Sequence, residues 1–318
     1  MKILIAYDGS ESADKGIDDL SRAGLPVEVD ALVVSVAEVW LPPPRGEFDD
    51  TFPLQISAGL KRARAHAAQI VKEAQELASS SGKRVKQIFP GWRVNHEATN
   101  GSPAHELLNL AREWKPDLIV VGSHGRTALG RFVLGSVSQK VLTEAQTSVR
   151  VARRTTGTGR SAIRIILGVD GSAGAQEAVR TVASRGWTPR SEVRVVVAED
   201  VLIANSVYAL IPPVNEFVDE VNKSERTEAE RIAEEAVKQL RSELDGKSVT
   251  VSSAVLTGNP KQAIVRHAEE FGADCIFTGA TGFSNPIERF LVGSVSAAVA
   301  ARAHCSVEVV RGLVAKAN

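Results

Sequence analysis

The sequence has few cysteines and no long apolar run, and each absence excludes a class of protein. Only Cys275 and Cys305 occur among 318 residues, which excludes a disulfide framework and fits a reducing compartment. No apolar segment reaches the roughly 18 residues that a membrane-spanning helix needs. The apolar run at the N-terminus meets Asp8, which is too early for a secretory signal peptide. We therefore expect a cytoplasmic protein.

An excess of charge of either sign is also lacking. The 38 basic and 38 acidic residues give a formal net charge of zero, and no basic stripe indicates a nucleic-acid or membrane partner. The histidines other than His124 show no metal-ligand spacing, so we expect no metal site. What is present is typical of a globular protein, with 43% hydrophobic and 24% charged residues. The length is enough for two domains.

The sequence repeats itself once, with a period of about 160 residues. Residues 5–10 (IAYDGS) correspond to 167–172 (LGVDGS), and 117–122 (DLIVVG) correspond to 274–279 (DCIFTG). A period this long indicates two duplicated domains and not a solenoid. We place the domains and the connection between them, which has no apolar residue, at 1–154, 155–161 (linker) and 162–318.

Each copy alternates predicted strands and helices. In the first copy we predict strands at 2–7, 27–39, 85–98, 117–121 and 149–152, and helices at 10–22, 54–80, 102–114 and 136–144. We expect Gly82 to end the long helix, and we place its counterpart in the second copy at about 222–244. This alternation predicts a parallel sheet with helices on both faces. Ligands of such sheets bind beyond the carboxyl ends of the strands, where Asp8 and Gly122 would share a crevice.

A glycine loop follows the fourth predicted strand of each copy. In the first copy two residues separate Gly122 from Gly125, and nine more lead to Gly135 and Ser136, where a helix begins. Such glycines let backbone N–H groups approach a phosphate and aim a helix N-terminus at it. The chain has no G-x-x-x-x-G-K-[ST] motif. It also has no G-x-G-x-x-G that follows a strand with an acidic partner downstream, so both common phosphate loops are excluded.

The order of these motifs resembles the nucleotide-binding pattern of the universal stress protein family. An aspartate closes the first strand, and the G-x-x-G loop, the nine-residue gap, G-S-V-S and a closing strand follow. The resemblance covers nearly the whole chain, as two tandem domains. It implies an α/β fold with five parallel strands in the order 3-2-1-4-5 in each domain. It also implies fifth strands that pair, here as an internal pseudo-dimer, and leaves a further homodimer open.

The resemblance also implies ATP as the ligand, with Mg²⁺ carried by its phosphates. Asp8 would bond the adenosine, the backbone of Val36 would meet adenine, and the glycine loop would line the phosphates. Contacts of His124 and Arg126 with the terminal phosphates are our own extension. The complete first-domain set is Ala6, Tyr7, Asp8, Val36, Val121, Gly122, Ser123, His124, Gly125, Arg126, Gly135, Ser136, Val137 and Ser138. The second-domain set is Val169, Asp170, Val197, Gly279, Gly282, Gly293, Ser294, Val295 and Ser296.

Roles that involve no ligand remain open for three of these residues. Asp8 could merely start a turn, Ser136 could serve only as a helix N-cap, and Arg126 could be a solvated surface charge.

The second copy departs from the pattern within its loop. Ten residues separate Gly282 from Gly293, one more than in the first copy. Phe283 stands at the position of Arg126 and brings no charge to a phosphate, and Pro286 removes a donor N–H and fixes φ. We therefore predict that the second site binds nucleotide more weakly or differently.

Three functions remain open on the sequence alone. The first is an ATP-binding regulatory protein of the stress response, and the second is a slow ATPase. The third is a nucleotide-free scaffold that binds partners through two Pro-containing insertions, 40–52 and 201–218. Base catalysis needs a carboxylate or an imidazole near the terminal phosphate. Only Asp8 and His124 are candidates and Asp8 is assigned to the nucleoside, so we expect no catalytic residue and at most slow hydrolysis.

Overall fold

The computed structural model describes residues 1–39, 54–125, 134–153, 161–199, 212–280 and 292–312, with backbone alone for 54–58, 60 and 212–216. The insertion 40–52 and the first part of 201–218 lie outside the described residues. Among the helices that are described, none is long and apolar enough to cross a membrane.

Strands and helices alternate through both halves of the chain. The first half contains β1 (Lys2–Ala6), α1 (Glu11–Asp19), β2 (Asp30–Ala37), α2 (Leu54–Ile88), β3 (Arg93–Asn100), α3 (Pro103–Trp114), β4 (Leu118–Gly122), α4 (Ser136–Glu144) and β5 (Ser148–Ala152). The second half contains β6 (Arg164–Gly168), α5 (Ala173–Ser184), β7 (Glu192–Glu199), α6 (Pro212–Glu243), β8 (Thr250–Thr257), α7 (Pro260–Phe271), β9 (Cys275–Gly279), α8 (Ser294–Arg302) and β10 (Ser306–Val310).

Local sequence signals explain where several helices begin. Ser10 and Ser172 are the N-caps of α1 and α5, and each side-chain oxygen accepts a hydrogen bond from the backbone N–H three residues on. Proline occupies the first position of α3 and of α7, where its missing N–H costs nothing. Helix α7 ends at Phe271 and is capped by Gly272, which adopts the left-handed conformation that glycine tolerates.

The ten described strands form one sheet in the order β3-β2-β1-β4-β5-β10-β9-β6-β7-β8. Within each half the strands are parallel and follow the predicted order 3-2-1-4-5, which confirms the fold prediction. The halves meet through their fifth strands, since β5 and β10 are antiparallel neighbours with Arg150 opposite Glu308.

Helices cover both faces of this sheet. On one face α3 and α4 of the first half and α7 and α8 of the second pack over a single apolar core that includes Leu107, Leu142, Val299 and Val307. On the other face one core lies beneath α1 and α2 and another beneath α5 and α6, and a smaller cluster that includes Ala37 and Ala74 lies between β2 and α2. The first of these faces therefore packs continuously across the junction of the halves.

Several predicted boundaries differ from the structure. Helix α2 does not stop at Gly82 but continues to Ile88, so the predicted strand at 85–98 begins only at Arg93. A Cβ at Gly82 would lie 3.2 Å from the Cβ of His96, so this glycine lets β3 approach the helix. The long helix of the second half begins at Pro212, well before the predicted start. Helix α1 ends at Asp19, and a 3₁₀ turn completes the predicted segment.

Candidate functional site

The carboxyl ends of β1 and β4 meet at the point where the strand order reverses. The two strands are parallel neighbours, with Ile3 opposite Leu118 and Ile5 opposite Val120. Strand β2 flanks β1 on its other side. Segments that leave these strands therefore line one crevice, which is where ligands of open parallel sheets bind.

The structure brings the described residues of the predicted first site to this edge. Residues 6–8 end β1 or follow it, Val36 lies near the end of β2, 121–125 end β4, and 135–138 begin α4. Arg126 lies outside the described residues. Gly125 and Asp8 are close enough that a Cβ on Gly125 would lie 3.3 Å from Asp8 Oδ2.

Asp8 is fixed by a tight turn. The Ser10 N–H donates to Asp8 Oδ1 at 3.0 Å, and Gly9 adopts a positive φ of 78° that suits glycine. The Asp8 side chain remains exposed to solvent. The turn therefore holds the aspartate over the crevice, with one carboxylate oxygen toward the glycine loop.

Hydroxyl groups and an imidazole converge on the start of the glycine loop. Ser12 Oγ lies 3.2 Å from Ser123 Oγ and accepts a hydrogen bond of 3.2 Å from the His124 N–H. Ser123 Oγ also lies 2.9 Å from His124 Nδ1. Sequence reasoning had not included Ser12, although its position in the first turn of α1, just after the strand-end aspartate, is a detectable signal.

Two hydrogen bonds connect the start of α4 to the beginning of the glycine loop. Ser138 Oγ donates to the Gly122 carbonyl at 2.6 Å, and the Gly135 N–H donates to the Ser123 carbonyl at 2.9 Å. Ser138 is buried, so its hydroxyl holds the loop in place. Gly135 is the N-cap and Ser136 is the first helical residue, so Ser136 is not the cap that had been left open. The first N–H groups of α4 have no partner within the helix.

Tyr7 follows β1, but its side chain is hydrogen-bonded to helix α1 and not to the glycine loop. Its hydroxyl donates to Asp14 Oδ1 at 2.8 Å, and Arg84 forms ion pairs with both Asp14 and Asp18. Burial, together with the bond to Asp14, raises the pKa of Tyr7 to about 12. Tyr7 therefore contributes backbone to the crevice and stays protonated at neutral pH.

The second half keeps the turn and the helix start. The Ser172 N–H donates to Asp170 Oδ1 at 3.0 Å, and Ser296 Oγ donates to the Gly279 carbonyl at 2.6 Å. The remaining described members of the predicted set lie at the matching positions, namely Val169 after β6, Val197 in β7 and Gly293, Ser294 and Val295 at the start of α8. Gly282 lies outside the described residues.

The second half differs in the residues that contact the loop. Gly174 and Ala280 stand where the first half has Ser12 and Ser123. A Cβ on Gly279 would lie 2.4 Å from the carbonyl carbon of Gly174, whereas a Cβ on Gly122 would come no closer than 2.9 Å to Ser12. At these two described positions the second crevice therefore lacks the hydroxyls of the first, and its strand end lies closer to the helix.

The chemistry of the first crevice suits an anionic ligand. Backbone N–H groups, serine hydroxyls and an imidazole can all donate hydrogen bonds. Among the described residues, no group of three or more His, Cys, Asp or Glu side chains could hold a metal ion.

The fold and the site define a class, namely a duplicated open parallel α/β domain whose crevice is built from a strand-end aspartate and a glycine loop. The family model for the universal stress protein family matches residues 1–153 and again 163–311. The chain therefore belongs to the universal stress protein family, as a tandem member.

Individual relatives agree with this assignment. The chain is 24% identical to Universal stress protein Mb2028c of Mycobacterium bovis, over 97% of this chain and 96% of that protein. A single stretch is 30% identical to Universal stress protein YxiE of Bacillus subtilis, over 44% of this chain and 90% of that protein. A universal stress protein structure from Archaeoglobus fulgidus superposes with a TM-score of 0.58 at 18% identity, with 98% of both chains covered, which shows the shared fold.

Proposed function

We propose that this chain is a cytoplasmic, ATP-binding regulatory protein of the stress response, with its working nucleotide site in the first half. The observation that carries the proposal is the convergence of Asp8, Ser12, Ser123 and His124 with the glycine loop at the strand-order reversal. Membership of the universal stress protein family supports it.

The site residues take complementary roles in this proposal. Asp8 receives hydroxyl groups of the nucleoside, and the backbone near Val36 meets the base. The loop from Gly122 to Gly125 and the N-terminus of α4 receive the phosphates, because backbone N–H groups at a helix start favour negative charge. Ser123 and His124 add side-chain donors. Mg²⁺ would enter on the phosphates, since the described residues offer it no cluster of ligands.

The second half binds nucleotide more weakly in this proposal. Its turn at Asp170 matches that at Asp8, so we expect Asp170 to contact a nucleoside as Asp8 does. Gly174 and Ala280 supply no hydroxyl to a phosphate. Loss of one or two donors to a charged group costs about 1.5–3 kcal/mol each. We therefore expect one strong and one weak site, and a protein whose ligand state is set chiefly by the first half.

Two matched substitutions test the assignment by calorimetric titration of the nucleotide-free protein with ATP. Asp8→Ala and Asp170→Ala remove the equivalent turn bond from each of the two halves. We expect D8A to weaken the tighter ATP site at least about tenfold, which corresponds to about 1.4 kcal/mol. D170A should leave that site within about twofold.

Ser123→Ala is the second test, because it gives the first half the side chain of the second. We expect S123A to weaken ATP binding by the folded protein, with a small fall in melting temperature because the buried Ser123 hydroxyl also contacts Ser12 and His124. Equal losses for D8A and D170A would replace the one-site proposal by two equivalent sites. Absence of ATP binding to the wild-type protein, checked by equilibrium dialysis, would reject the nucleotide function.

A further inference from the structure

Most of the hydrogen bonds described at the junction between β5 and β10 occur in equivalent pairs, one donated by each half. The backbone N–H of Arg153 donates to Ser306 Oγ at 2.9 Å, and that of Arg311 donates to Ser148 Oγ at 3.1 Å. The guanidinium of Arg153 donates to a carbonyl in the last turn of α8 at 2.5 Å, and that of Arg311 to one in the last turn of α4 at 2.6 Å. Each residue of these pairs has its counterpart in the other half. A half that paired with a copy of itself would find the same contacts.

The centre of the junction breaks this symmetry. Arg150 and Glu308 are opposite each other in the register, and the pseudo-two-fold axis exchanges them. Arg150 Nη1 lies 3.2 Å from Glu308 Oε2, and both side chains are fully buried. A fifth strand that paired with its own copy would bury two arginines or two glutamates opposite each other.

Each central charge also has a partner in its own half. Arg150 donates to both carboxylate oxygens of Asp19, at 2.6 and 3.2 Å, and Arg185 pairs with Glu308. The counterparts of Asp19 and Arg185 are Thr181 and Ala23, which carry no charge. The network is therefore asymmetric throughout, in a junction whose other contacts are duplicated.

We propose that Arg150 and Glu308 select the partner of each fifth strand, so that β5 accepts the acidic strand β10 and rejects a second copy of β5. Buried ion pairs add little net stability over apolar residues, but a like-charged or unpaired alternative is costly. Selection against a wrong partner by repulsion is a recognised source of specificity. The partner that fits β5 is thus a strand with a carboxylate at the central position, which the second half supplies.

A disulfide reporter tests this choice in the full chain. Pairing of β5 with β5 of a second chain, in the junction's register, puts residue 149 opposite residue 151 of that chain. We would mix a Val149→Cys chain with a Val151→Cys chain, unfold and refold them together under oxidising conditions, and measure disulfide-linked dimer on a non-reducing gel. In the pairing seen here these positions face Val309 and Val307. Cysteine variants that keep the wild-type charges should therefore form no more disulfide-linked dimer than the parent chain does.

Removal of the charges should release the wrong pairing. In the background Asp19→Thr, Arg150→Val, Arg185→Ala and Glu308→Val, which leaves no charge of this network behind, we expect at least a several-fold rise in linked dimer. Arg150→Lys keeps the charge and should remain at the wild-type level. If the quadruple variant fails to refold by circular dichroism, the double variant Asp19→Thr, Arg150→Gln decides, because it removes the arginine that opposes β5–β5 pairing together with its partner carboxylate and leaves Glu308 paired with Arg185. A folded variant without more dimer, or wild-type chains that link equally well, would overturn the proposal.

Discussion

At the scale of single residues, the two halves differ where the fourth strand meets the first helix. A Cβ on Gly122 would lie 2.9 Å from Ser12 Oγ and 3.1 Å from the backbone of Ser12, whereas a Cβ on Gly279 would lie only 2.4 Å from the backbone of Gly174. A side chain can rotate away from an added methyl group, but a helix backbone cannot. The same substitution should therefore cost more in the second half.

Gly279→Ala should lower the free energy of unfolding by about 1–3 kcal/mol, as expected for overpacking of a tight contact. Gly122→Ala, the matched substitution, should cost less, because its nearest neighbour is Ser12 Oγ. Urea unfolding followed by tryptophan fluorescence measures both. Equal costs would mean that the close approach of β9 to α5 is not maintained in solution.

Tyr7 should make stability sensitive to alkaline pH. Its folded-state pKa of about 12 exceeds the ordinary value of 10.0 because burial and the bond to Asp14 favour the protonated phenol. The stabilisation is therefore complete below pH 10 and is lost as pH rises toward 12. The difference in unfolding midpoint between wild type and Tyr7→Phe should be constant up to pH 10. Above pH 10 the wild-type midpoint should fall relative to that of Tyr7→Phe. A difference independent of pH would contradict the raised pKa.

Some residues of the site were accessible from sequence and others were not. The spacing of Asp8, Gly122, Gly125 and Gly135 predicted a shared crevice because strand ends and glycine loops leave local signatures. Ser12 was missed although it lies just after the strand-end aspartate, because no motif links its hydroxyl to Ser123, which is 111 residues away. The Arg150–Glu308 pair had a signal that went unused, a charged residue at the centre of each short apolar strand.

At the scale of elements, α4 and α8 link the glycine loops to the junction. Each is nine residues long and begins at its own loop, while its last turn receives an arginine from the other half. Burial lowers the pKa of Arg153 and Arg311 to about 10, which leaves both charged at neutral pH. These helices are therefore capped by cations at the end where the helix dipole favours them.

Arg311→Met should cost about 1.5–3 kcal/mol of unfolding free energy, because it removes a charged donor from buried carbonyls. Arg153→Met is the symmetric control and should cost a similar amount. Thermal and urea unfolding of both variants would measure this. A loss confined to one of the two would show that the duplicated contacts are unequal in strength.

Element boundaries show where sequence reasoning fails. The start of α3 was correct because Pro103 is a strong local signal. The end of α2 was wrong because Gly82 has a use that only the folded protein reveals, the close approach of His96. A single sequence does not distinguish a glycine that ends a helix from a glycine that allows another strand to pack closely.

At the scale of the whole molecule, the sheet should hold the halves together without a covalent link. A protease site placed in the linker 155–161 can be cut after folding. Because β5 and β10 bury the Arg150 network and share an apolar core with four helices, we expect both fragments to elute together in size-exclusion chromatography at micromolar dilution. Separation into two peaks would indicate that the linker, and not the junction, maintains the pairing.

The antiparallel junction also decides which way each crevice points. Strands within a half are parallel and β5 runs opposite to β10, so the carboxyl ends of the two halves lie on opposite edges of one sheet. The two crevices thus open to opposite sides of the molecule. A large binding partner that covered the first crevice would leave the second open to solvent. Two different partners could therefore bind the two crevices at the same time.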